Sequence, residues 1–330
     1  MTKLYDVTLR DGNHALGHQL EQSFIRKYCQ IASNSDVYAV EVGHGNGLGA
    51  SSFLIGRSRL TDDEMLRIAR KNLKDKLLAV HAIPGFATIE RDLKPAIDLG
   101  VDVFRVATHA TEASLAETHI NFLSSRGLIV HGVLMMSHMN SVEGLLAEAK
   151  LMKNFGASAI ILMDSAGAFR PTDVQRRIHL LAHELEVEVG FHAHNNFGLA
   201  VANATTAEAS GASILDGAAM GLGAGSGNAQ LEALGAVLGE DNSSEGSLNV
   251  LFEMSDLTLT ELQPFLPRTT TNSLRSGLAG AFSGFAPHVQ RLSDELGISV
   301  DTLWSEIGRR KIVAGQESIL REIAIDLMNL

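Results

Sequence analysis

Apolar and polar positions follow a repeating order along the chain, in which a short, almost continuous apolar run precedes a longer segment with helical spacing of apolar residues. Almost continuous apolar runs of strand length are typical of parallel strands that are buried on both faces. The pattern predicts eight strands, at Leu4–Thr8, Ala39–Val42, Leu77–Ile83, Val103–Ala107, Ile129–Met135, Ala159–Met163, Val187–His192 and Ile214–Ala218.

The segments between these strands have apolar residues at helical spacing. They predict helices at Gln22–Ala32, Asp62–Asn72, Glu90–Leu99, Ala113–Arg126, Ser141–Phe155, Pro171–Glu184 and Leu199–Ser210. Gly100, Gly127, Gly156 and Gly211 each follow a predicted helix, where a C-cap glycine belongs. A strand-helix unit repeated along eight strands favours a closed α/β (βα)₈ TIM barrel over a doubly wound sheet.

The pattern changes after about Gly239. The sequence EDNSSEGS is polar and linker-like, and Leu248–Leu266 and Pro287–Leu330 have helical spacing without a strand to accompany them. The chain has 330 residues, enough for a barrel of about 250 residues and a smaller appendage. We therefore predict a catalytic barrel at 1–255 and a helical C-terminal domain at 256–330.

Composition and charge narrow the class of partner. Apolar residues make up 45% of the chain and the net charge is -11, which disfavours binding to nucleic acid. The single cysteine, Cys29, cannot form an intrachain disulfide, which fits a reducing compartment. The sequence has no apolar core of signal-peptide length and no run of the roughly 18 apolar residues that a membrane span needs. We expect a cytoplasmic protein without a membrane partner.

Polar side chains cluster after the predicted strands, at the carboxyl ends where barrel enzymes carry their chemistry. The opposite strand ends carry few such groups, and this one-sidedness predicts an enzyme. The residues are Arg10, Asp11, His14, His44, His109, His138, Asp164, Ser165, His192, His194, Asn195 and Asn196.

The sharpest motif is FHAHNN, at the end of the seventh predicted strand. His192 and His194 project to the same side of an extended strand, and only the eighth strand separates them from Asp11 in a closed barrel. Two imidazoles and a carboxylate suit Mn²⁺, Mg²⁺, Co²⁺, Zn²⁺ or Fe²⁺ and leave positions for water and substrate. The alternative is a pair of histidines that only form internal hydrogen bonds.

Two further residues beside Asp11 are candidates for catalysis. Arg10 is a fixed cation that can stabilise an enolate oxygen or bind a carboxylate, or else it only pairs with an acid at the barrel rim. His14 is a candidate general base, because imidazole titrates near neutral pH, with helix capping or plain surface exposure as the alternative. For His44, His109 and His138, supporting or structural roles are favoured.

Two glycine-rich motifs give weaker evidence for a ligand-binding site. Gly45, Gly47 and Ala50 match the dinucleotide-binding pattern GxGxxA, but the following SSFLIGRSR is a poor helix start, which argues against a nicotinamide site. The run Gly221–Ala229 lacks the Lys-Ser/Thr of a P-loop. It is either a tight loop or a loop that contacts substrate.

Motifs in order along the chain resemble the 4-hydroxy-2-oxovalerate aldolases, class II pyruvate aldolases of the superfamily that includes HMG-CoA lyase and isopropylmalate synthase. EIGRRKIVAGQE, at Glu306–Glu317, resembles their C-terminal segment, so the resemblance covers essentially the whole chain. The barrel motifs are VTLRDGNHA, EVGHGNGLGASSF, RVATHATEA, LMMSHM, MDSAGA, HAHNNFGLAVANA and GLGAGSGNAQLE.

The resemblance implies a (βα)₈ barrel with a Mn²⁺-preferring site that cleaves 4-hydroxy-2-oxo acids to pyruvate and an aldehyde, as in aromatic hydrocarbon catabolism. It implies that Arg10 stabilises the pyruvate enolate, that His14 exchanges a proton with the 4-hydroxyl, and that Ser165 lies near the pyruvate carboxylate. It also implies an oligomer whose C-terminal domain docks an acylating aldehyde dehydrogenase. The implied metal ligands are Asp11, His192 and His194.

The chain departs from the family pattern at three places. Phe282 stands at the substrate site where the family has a tyrosine, and Asn46 stands where the family has an aspartate in HGDG. Ala82 and Ile83 replace bulkier leucines beside the aldehyde. These departures indicate either a different aldehyde, for which a larger one is a candidate, or altered handling of the aldehyde partner.

Two other functions are compatible with the barrel. A Claisen-type synthase or acyl-CoA lyase would need an acyl-CoA site, and the lyase type carries a cysteine in a glycine-rich loop, whereas Cys29 lies in a predicted helix. A non-catalytic scaffold that binds a dehydrogenase is the second, and the intact Asp11, His192 and His194 set argues against it.

Overall fold

The strands form one closed parallel barrel. The computed structural model describes residues 2–242, 245–313 and 316–329. Within these ranges eight strands pair in sequence order, and β1 pairs with β8 to close the barrel. The predicted TIM barrel is confirmed, and its strands are β1 Lys3–Leu9, β2 Ala39–Val42, β3 Leu77–Ala82, β4 Val103–His109, β5 Ile129–Met135, β6 Ala159–Asp164, β7 Glu188–Ala193 and β8 Ile214–Gly217.

Helices cover the outside of the barrel and form the C-terminal region. The α-helices of the described chain are α1 Gly12–Ala15, α2 Gln22–Ala32, α3 Asp62–Leu73, α4 Lys94–Asp98, α5 Glu117–Ser124, α6 Val142–Asn154, α7 Pro171–Glu184, α8 Ala200–Ala209, α9 Leu231–Asn242, α10 Glu245–Leu262, α11 Thr271–Ala279, α12 Ala286–Leu296, α13 Val300–Arg309 and α14 Ile319–Met328. A π turn lies at Ile89–Leu93, and 3₁₀ turns lie at Ala113–Ala116, Ser137–Met139, Ala219–Gly221, Gln263–Phe265 and Ser283–Phe285.

Alternation along each strand divides the apolar side chains between two clusters. In β3, Leu78 and Val80 belong to the cluster between the strands and the surrounding helices, whereas Ala79 belongs to a separate cluster inside the barrel. Small residues such as Ala39 and Ala159 also lie in the inner cluster, beside the larger Tyr5. Burial on both faces explains why the strands appear as continuous apolar runs.

The linker predicted at EDNSSEGS is wrong for its described part, because α9 continues to Asn242 and α10 begins at Glu245. Residues 243 and 244 lie outside the described residues. Leu234 in α9 and Leu251 and Met254 in α10 pack into the outer barrel cluster. This packing overrides the weak helix preference of the polar residues between them.

The C-terminal helices have a core of their own, in which Phe285, Leu303 and Trp304 are buried. The helical character predicted for Pro287–Leu330 is confirmed, and the described residues form three helices there, α12 to α14. Gly297 ends α12 in the left-handed conformation, with φ of 69°. The division at 255/256 stays a prediction, because α10 runs across it.

Helix α11 was not predicted from the sequence. Thr270 and Ser273 form a reciprocal cap at its start, and Gly280 ends it with φ of 61°. The predicted helix at Leu248–Leu266 ends earlier, at Leu262, where a 3₁₀ turn containing Pro264 follows.

Strand β1 is fastened to α2 by a buried polar cluster. The Tyr28 hydroxyl lies 2.8 Å from Asp6 Oδ2 and 2.9 Å from Thr8 Oγ1. Burial raises the pKa of Asp6 to about 6, although the hydrogen bonds from Thr8 and Tyr28 oppose this rise. The cluster therefore fixes the strand that leads into Arg10 and Asp11.

Replacing Tyr28 with phenylalanine should lower the free energy of unfolding by about 1.5–3 kcal/mol near pH 8, because a buried carboxylate loses a donor. The raised folded pKa of Asp6 means that stability is lost as pH rises through about 6, and losing Tyr28 raises this pKa further. The difference in free energy of unfolding between the parent protein and Tyr28→Phe, measured by urea titration, should therefore grow between pH 5 and pH 8.

Tyr38→Phe is the matched control, because the Tyr38 hydroxyl makes no hydrogen bond to any residue in the described ranges. It should change stability by less than about 0.5 kcal/mol. Equal losses in the two variants, or a pH-independent loss in Tyr28→Phe, would contradict the role of the Asp6 cluster.

Candidate metal centre and active site

Asp11, His192 and His194 converge at the carboxyl ends of β1 and β7. One ligand atom from each lies within 4.8 Å of the others, and all three side chains are buried. The Nε2 atoms of the two histidines are 3.4 Å apart and face each other. The predicted convergence of these three side chains is thus present in the structure.

The Asp11 carboxylate is held on both oxygens. Arg10 Nη1 donates to Oδ1 at 2.7 Å, and Asn228 Nδ2 donates to Oδ2 at 2.7 Å. Burial alone would raise the pKa of Asp11, but the Arg10 guanidinium and the nearby histidines hold it well below its usual range. Asp11 is therefore ionised and held in a fixed orientation.

The two histidines present ring nitrogens toward Asp11. His192 Nδ1 lies 2.8 Å from Asp216 Oδ2, and a carboxylate can only accept, so Nδ1 is the donor of this hydrogen bond and Nε2 is the nitrogen that faces His194. Burial lowers the pKa of His194 to about 4, so its ring is neutral near pH 7. Within the described chain, His194 Nδ1 has no hydrogen-bond partner.

This donor set fits a divalent metal ion. A carboxylate oxygen and two imidazole nitrogens combine hard and borderline ligands on one side and leave the other side to the cavity. The carboxylate that orients His192 is the usual second partner of a metal-binding histidine. The residues present therefore match a resident metal of the Mn²⁺ or Zn²⁺ kind.

A cavity of about 210 Å³ opens beside these ligands. Its wall contains six of the seven residues to which the sequence analysis gave a catalytic, substrate-binding or metal-binding role, and His192 is the exception. These lining residues are Arg10, Asp11, His14, Ser165, His194 and Phe282. His109 also lines the cavity, together with His81 and Thr108, which the sequence analysis did not single out.

His14 stands on the single turn of α1, at the cavity wall. Burial lowers its pKa to about 4, against an opposing effect from Asp11, so the ring is neutral near pH 7. The Phe282 ring meets it edge-on, with ring centroids 6.3 Å apart. A Cβ at Gly45 would lie 2.5 Å from the His14 ring, so the glycine of the GxG motif permits this close approach.

The glycine motifs serve the site through the backbone. No helix follows Gly45-Asn46-Gly47 before α3 begins at Asp62 in this fully described stretch, consistent with the argument against a nicotinamide site. The loop at Gly221–Ala229 supplies Asn228 to Asp11. A Cβ at Gly223 would lie 2.6 Å from Asp11 Oδ2, so this loop must approach without a side chain.

His44 and His138, the remaining histidines noted at the predicted strand ends, make contacts with backbone carbonyls. His44 Nε2 lies 3.1 Å from the Gly56 carbonyl, and the ring stacks on His18 at 3.6 Å between centroids. His138 Nε2 lies 2.8 Å from the Gly280 carbonyl and so joins the barrel to the C-terminal helices. Both contacts are structural.

Sequence reasoning missed the charged groups beneath the cavity. Glu41, Arg105 and Asp216 are fully or almost fully buried, each within an apolar strand. A lone charge inside an apolar run could have revealed them, since such a residue needs an opposite charge on a neighbouring strand.

Comparison with known proteins agrees with this geometry. A family model described as HMGL-like matches residues 1–258, and one described as a DmpG-like communication domain matches residues 267–329. The carboxyl transferase domain of Rhizobium etli pyruvate carboxylase shares the fold, with a TM-score of 0.80 at 15% identity over 99% of this chain and 60% of that one. The fold and site thus define an HMGL-like barrel protein.

Proteins with similar sequences identify the family within this class of barrel proteins. A 4-hydroxy-2-oxovalerate aldolase of Spirochaeta aurantia is 49% identical over 98% of this chain and 95% of its own length. One of Pectobacterium atrosepticum is 47% identical over the same shares. The chain belongs to the 4-hydroxy-2-oxovalerate aldolase family. None of its described helices is both long and apolar enough to cross a membrane.

The contact of Asn228 with Asp11 gives a direct test of the candidate centre. Asn228→Ala removes the donor that orients Asp11 Oδ2 and should weaken Mn²⁺ binding about 10-fold or more. Binding is measured by titration, following the electron paramagnetic resonance signal of free Mn²⁺. Asn46→Ala, at the cavity wall but not bonded to the three ligands, should keep the parent affinity. Parent affinity in Asn228→Ala would rule out this support.

Proposed function

We propose that this protein is a divalent-metal-dependent aldolase that cleaves 4-hydroxy-2-oxo acids to pyruvate and an aldehyde. The observation that carries the proposal is the meeting of three ligands, a free guanidinium nitrogen and a neutral imidazole at one cavity. The family membership and the names of the relatives support the same reaction.

Asp11, His192 and His194 would hold the metal, and Mn²⁺ is the ion that we propose. When bound, the metal supplies Lewis acidity to the 2-oxo group of the substrate. The ionised Asp11 and the neutral ring of His194 described above are in the protonation states that metal ligation requires.

Arg10 would bind and stabilise the oxygen that becomes negative during cleavage. Its Nη1 and Nε are committed to Asp11 and Glu41, whereas its buried Nη2 has no hydrogen-bond partner among the described residues. A buried cationic donor beside the cavity suits a developing enolate oxygen. The guanidinium is fixed by its two other contacts and needs no reorganisation as charge develops.

Ser165 would bind the pyruvate carboxylate. Its Oγ accepts the backbone N–H of Met136 at 3.0 Å, which leaves the hydroxyl hydrogen available to a ligand. Thr108 Oγ1 is buried without a hydrogen-bond partner in the described chain and lines the same cavity. These two hydroxyls would give a carboxylate neutral donors at the cavity wall.

His14 would act as the general base. Its neutral ring can take the proton of the substrate 4-hydroxyl, after which the C3–C4 bond breaks and its electrons form the pyruvate enolate. The aldehyde carbonyl forms from the same hydroxyl oxygen, and protonation of the enolate at C3 completes pyruvate. General base catalysis of this kind contributes typically 10²–10⁴-fold.

The aldehyde would lie against an apolar wall. Ile83, Phe86, Leu115 and Met135 line the cavity together with Phe282. Phe282 offers no hydroxyl where the family has a tyrosine, so its ring adds apolar surface to this wall. An aldehyde with an alkyl substituent larger than methyl fits such a wall.

An acyl-CoA lyase with a catalytic cysteine is disfavoured. Cys29 is buried in α2 within the outer barrel cluster, and burial raises the pKa of its thiol well above the usual value. A thiol in that state is a poor nucleophile or acid.

The C-terminal region supports a protein partner. The match of residues 267–329 to a communication domain supports docking of an acylating aldehyde dehydrogenase there. Phe282 and Val313 from this region also line the cavity, so a docked partner would lie near the aldehyde end of the site. We propose that the enzyme works as an oligomer with this partner.

Pyruvate release from 4-hydroxy-2-oxohexanoate should require the metal. Enzyme stripped with EDTA should lose at least about 100-fold in kcat/KM and recover it with Mn²⁺, because Lewis-acid stabilisation of the enolate is worth several kcal/mol. Asp11→Asn should stay inactive after Mn²⁺ addition, and Asp63→Asn, an exposed residue of α3, is the matched control. Full turnover in the presence of EDTA would refute the metal role.

Substrate length tests the apolar wall. Substrates with a linear alkyl group at C4 should gain about 4-fold in kcat/KM per added methylene from methyl to propyl, since each buried methylene contributes about 0.8 kcal/mol. Ile83→Phe should reverse this order by filling the wall while leaving the methyl substrate within a few fold. A flat or falling series in the parent enzyme would contradict a larger aldehyde.

A further inference from the structure

A chain of alternating buried charges crosses the barrel beneath the cavity. Arg10 Nε donates to Glu41 Oε2 at 2.8 Å, and Arg105 Nη1 lies 3.4 Å from the same oxygen. Arg105 Nη2 donates to Asp216 Oδ2 at 2.7 Å. The four residues come from β2, β4 and β8 and from the residue after β1.

Both ends of this charge chain reach a candidate metal ligand. At one end Arg10 Nη1 donates to Asp11 Oδ1 at 2.7 Å. At the other end Asp216 Oδ2 accepts from His192 Nδ1 at 2.8 Å. The candidate ligands His192 on β7 and Asp11 after β1 are therefore connected in two ways. They lie together at the site, and the charge chain through Arg105 links them beneath it.

Arg105 is the central member of the charge chain. Its side chain is fully buried, it lies between two carboxylates, and its guanidinium lies 5.5 Å from the centre of the Tyr5 ring. It does not line the cavity, so it cannot contact a substrate there. Without it, Glu41 and Asp216 would be two buried carboxylates with one guanidinium, that of Arg10, on one side only.

We propose that Arg105 is a positioning residue that sets the metal centre from below. Through Asp216 it keeps the proton of His192 on Nδ1, so that Nε2 stays available to the ion. Through Glu41 it fixes the plane of the Arg10 guanidinium, which orients Asp11 and leaves Nη2 toward the cavity. The inference rests on the proposed metal-dependent function.

Physical reasons favour a positioning role over simple stability. A buried ion pair contributes little net stability compared with apolar residues of similar volume, so this charge chain is not needed merely to hold the barrel. Groups that orient a metal ligand from behind, in contrast, typically change metal affinity or activity 10–100-fold when they are removed. Arg105 contacts Asp216, which orients His192, and Glu41, which holds the Arg10 that orients Asp11. Its position therefore matches that of a group that orients metal ligands from behind.

The test measures Mn²⁺ affinity and kcat in Arg105→Met and Arg105→Lys. Arg105→Met should bind Mn²⁺ about 10–100-fold more weakly and keep a lowered kcat at saturating Mn²⁺, because Asp216 loses its guanidinium and Glu41 keeps only that of Arg10. Arg105→Lys keeps the charge but cannot reach both carboxylates in a fixed plane, so it should recover only part of the affinity.

Leu181→Ala is the matched control, since Leu181 is fully buried in α7 and belongs to the outer barrel cluster rather than to the charge chain. It should lower Tm without changing Mn²⁺ affinity, which separates a loss of stability from a loss of positioning. Should Arg105→Met fail to fold, Asp216→Asn replaces it. Its amide can donate to His192 Nδ1, which would move the proton to Nε2 and weaken Mn²⁺ binding to a similar degree.

Parent Mn²⁺ affinity and kcat in any folded variant that lacks the Arg105 or Asp216 charge would overturn the inference. The inference would also be overturned if Arg105→Met and Leu181→Ala had the same Tm and lost Mn²⁺ affinity to the same degree. If the parent protein itself binds no Mn²⁺ and releases pyruvate in EDTA, the proposed function fails, and the two failures are thereby distinguished.

Discussion

The insertion of β8 between β7 and β1 is the constraint on which the site depends. Ile214 pairs with Gly190 on one side and with Lys3 on the other, which sets the two neighbouring strands at a common level. A Cβ at Gly190 would lie 2.9 Å from the Ile214 Cβ, so the absence of a side chain permits this packing. Asp11 meets two histidines about 180 positions later in the chain only because of this closure.

Electrostatics then explains why so many charges tolerate burial. The charge chain contains two guanidiniums, of Arg10 and Arg105, and two carboxylates, of Glu41 and Asp216, and Asp11 adds a third carboxylate. Two positive and three negative charges leave a net charge of −1 in a buried region. Buried charge that is not compensated is costly, so the region is suited to a cation, and the ligands lie where that cation would complete the balance.

Features that depend on local periodicity and on position within a barrel were predictable from the sequence. Strand bounds came from apolar runs, and Asp11, His192 and His194 came from strand ends that a barrel must bring together. Arg105 and Asn228 could not be placed in the same way, because their roles depend on register between strands and on the path of a glycine-rich loop. The false linker between α9 and α10 has a different cause, since local polarity did not reveal the leucines that dock both helices.

The C-terminal helices and the barrel share one cavity, although each has its own apolar core. Asn196, just after β7, donates to Ser276 Oγ in α11 at 2.7 Å, and His138 bonds to Gly280 at the end of the same helix. Phe282 follows two residues later and reaches His14. A shift of α11 would therefore move the aromatic wall against the proposed base. The wall proposed for the aldehyde is thus positioned by the C-terminal helices as well as by the barrel.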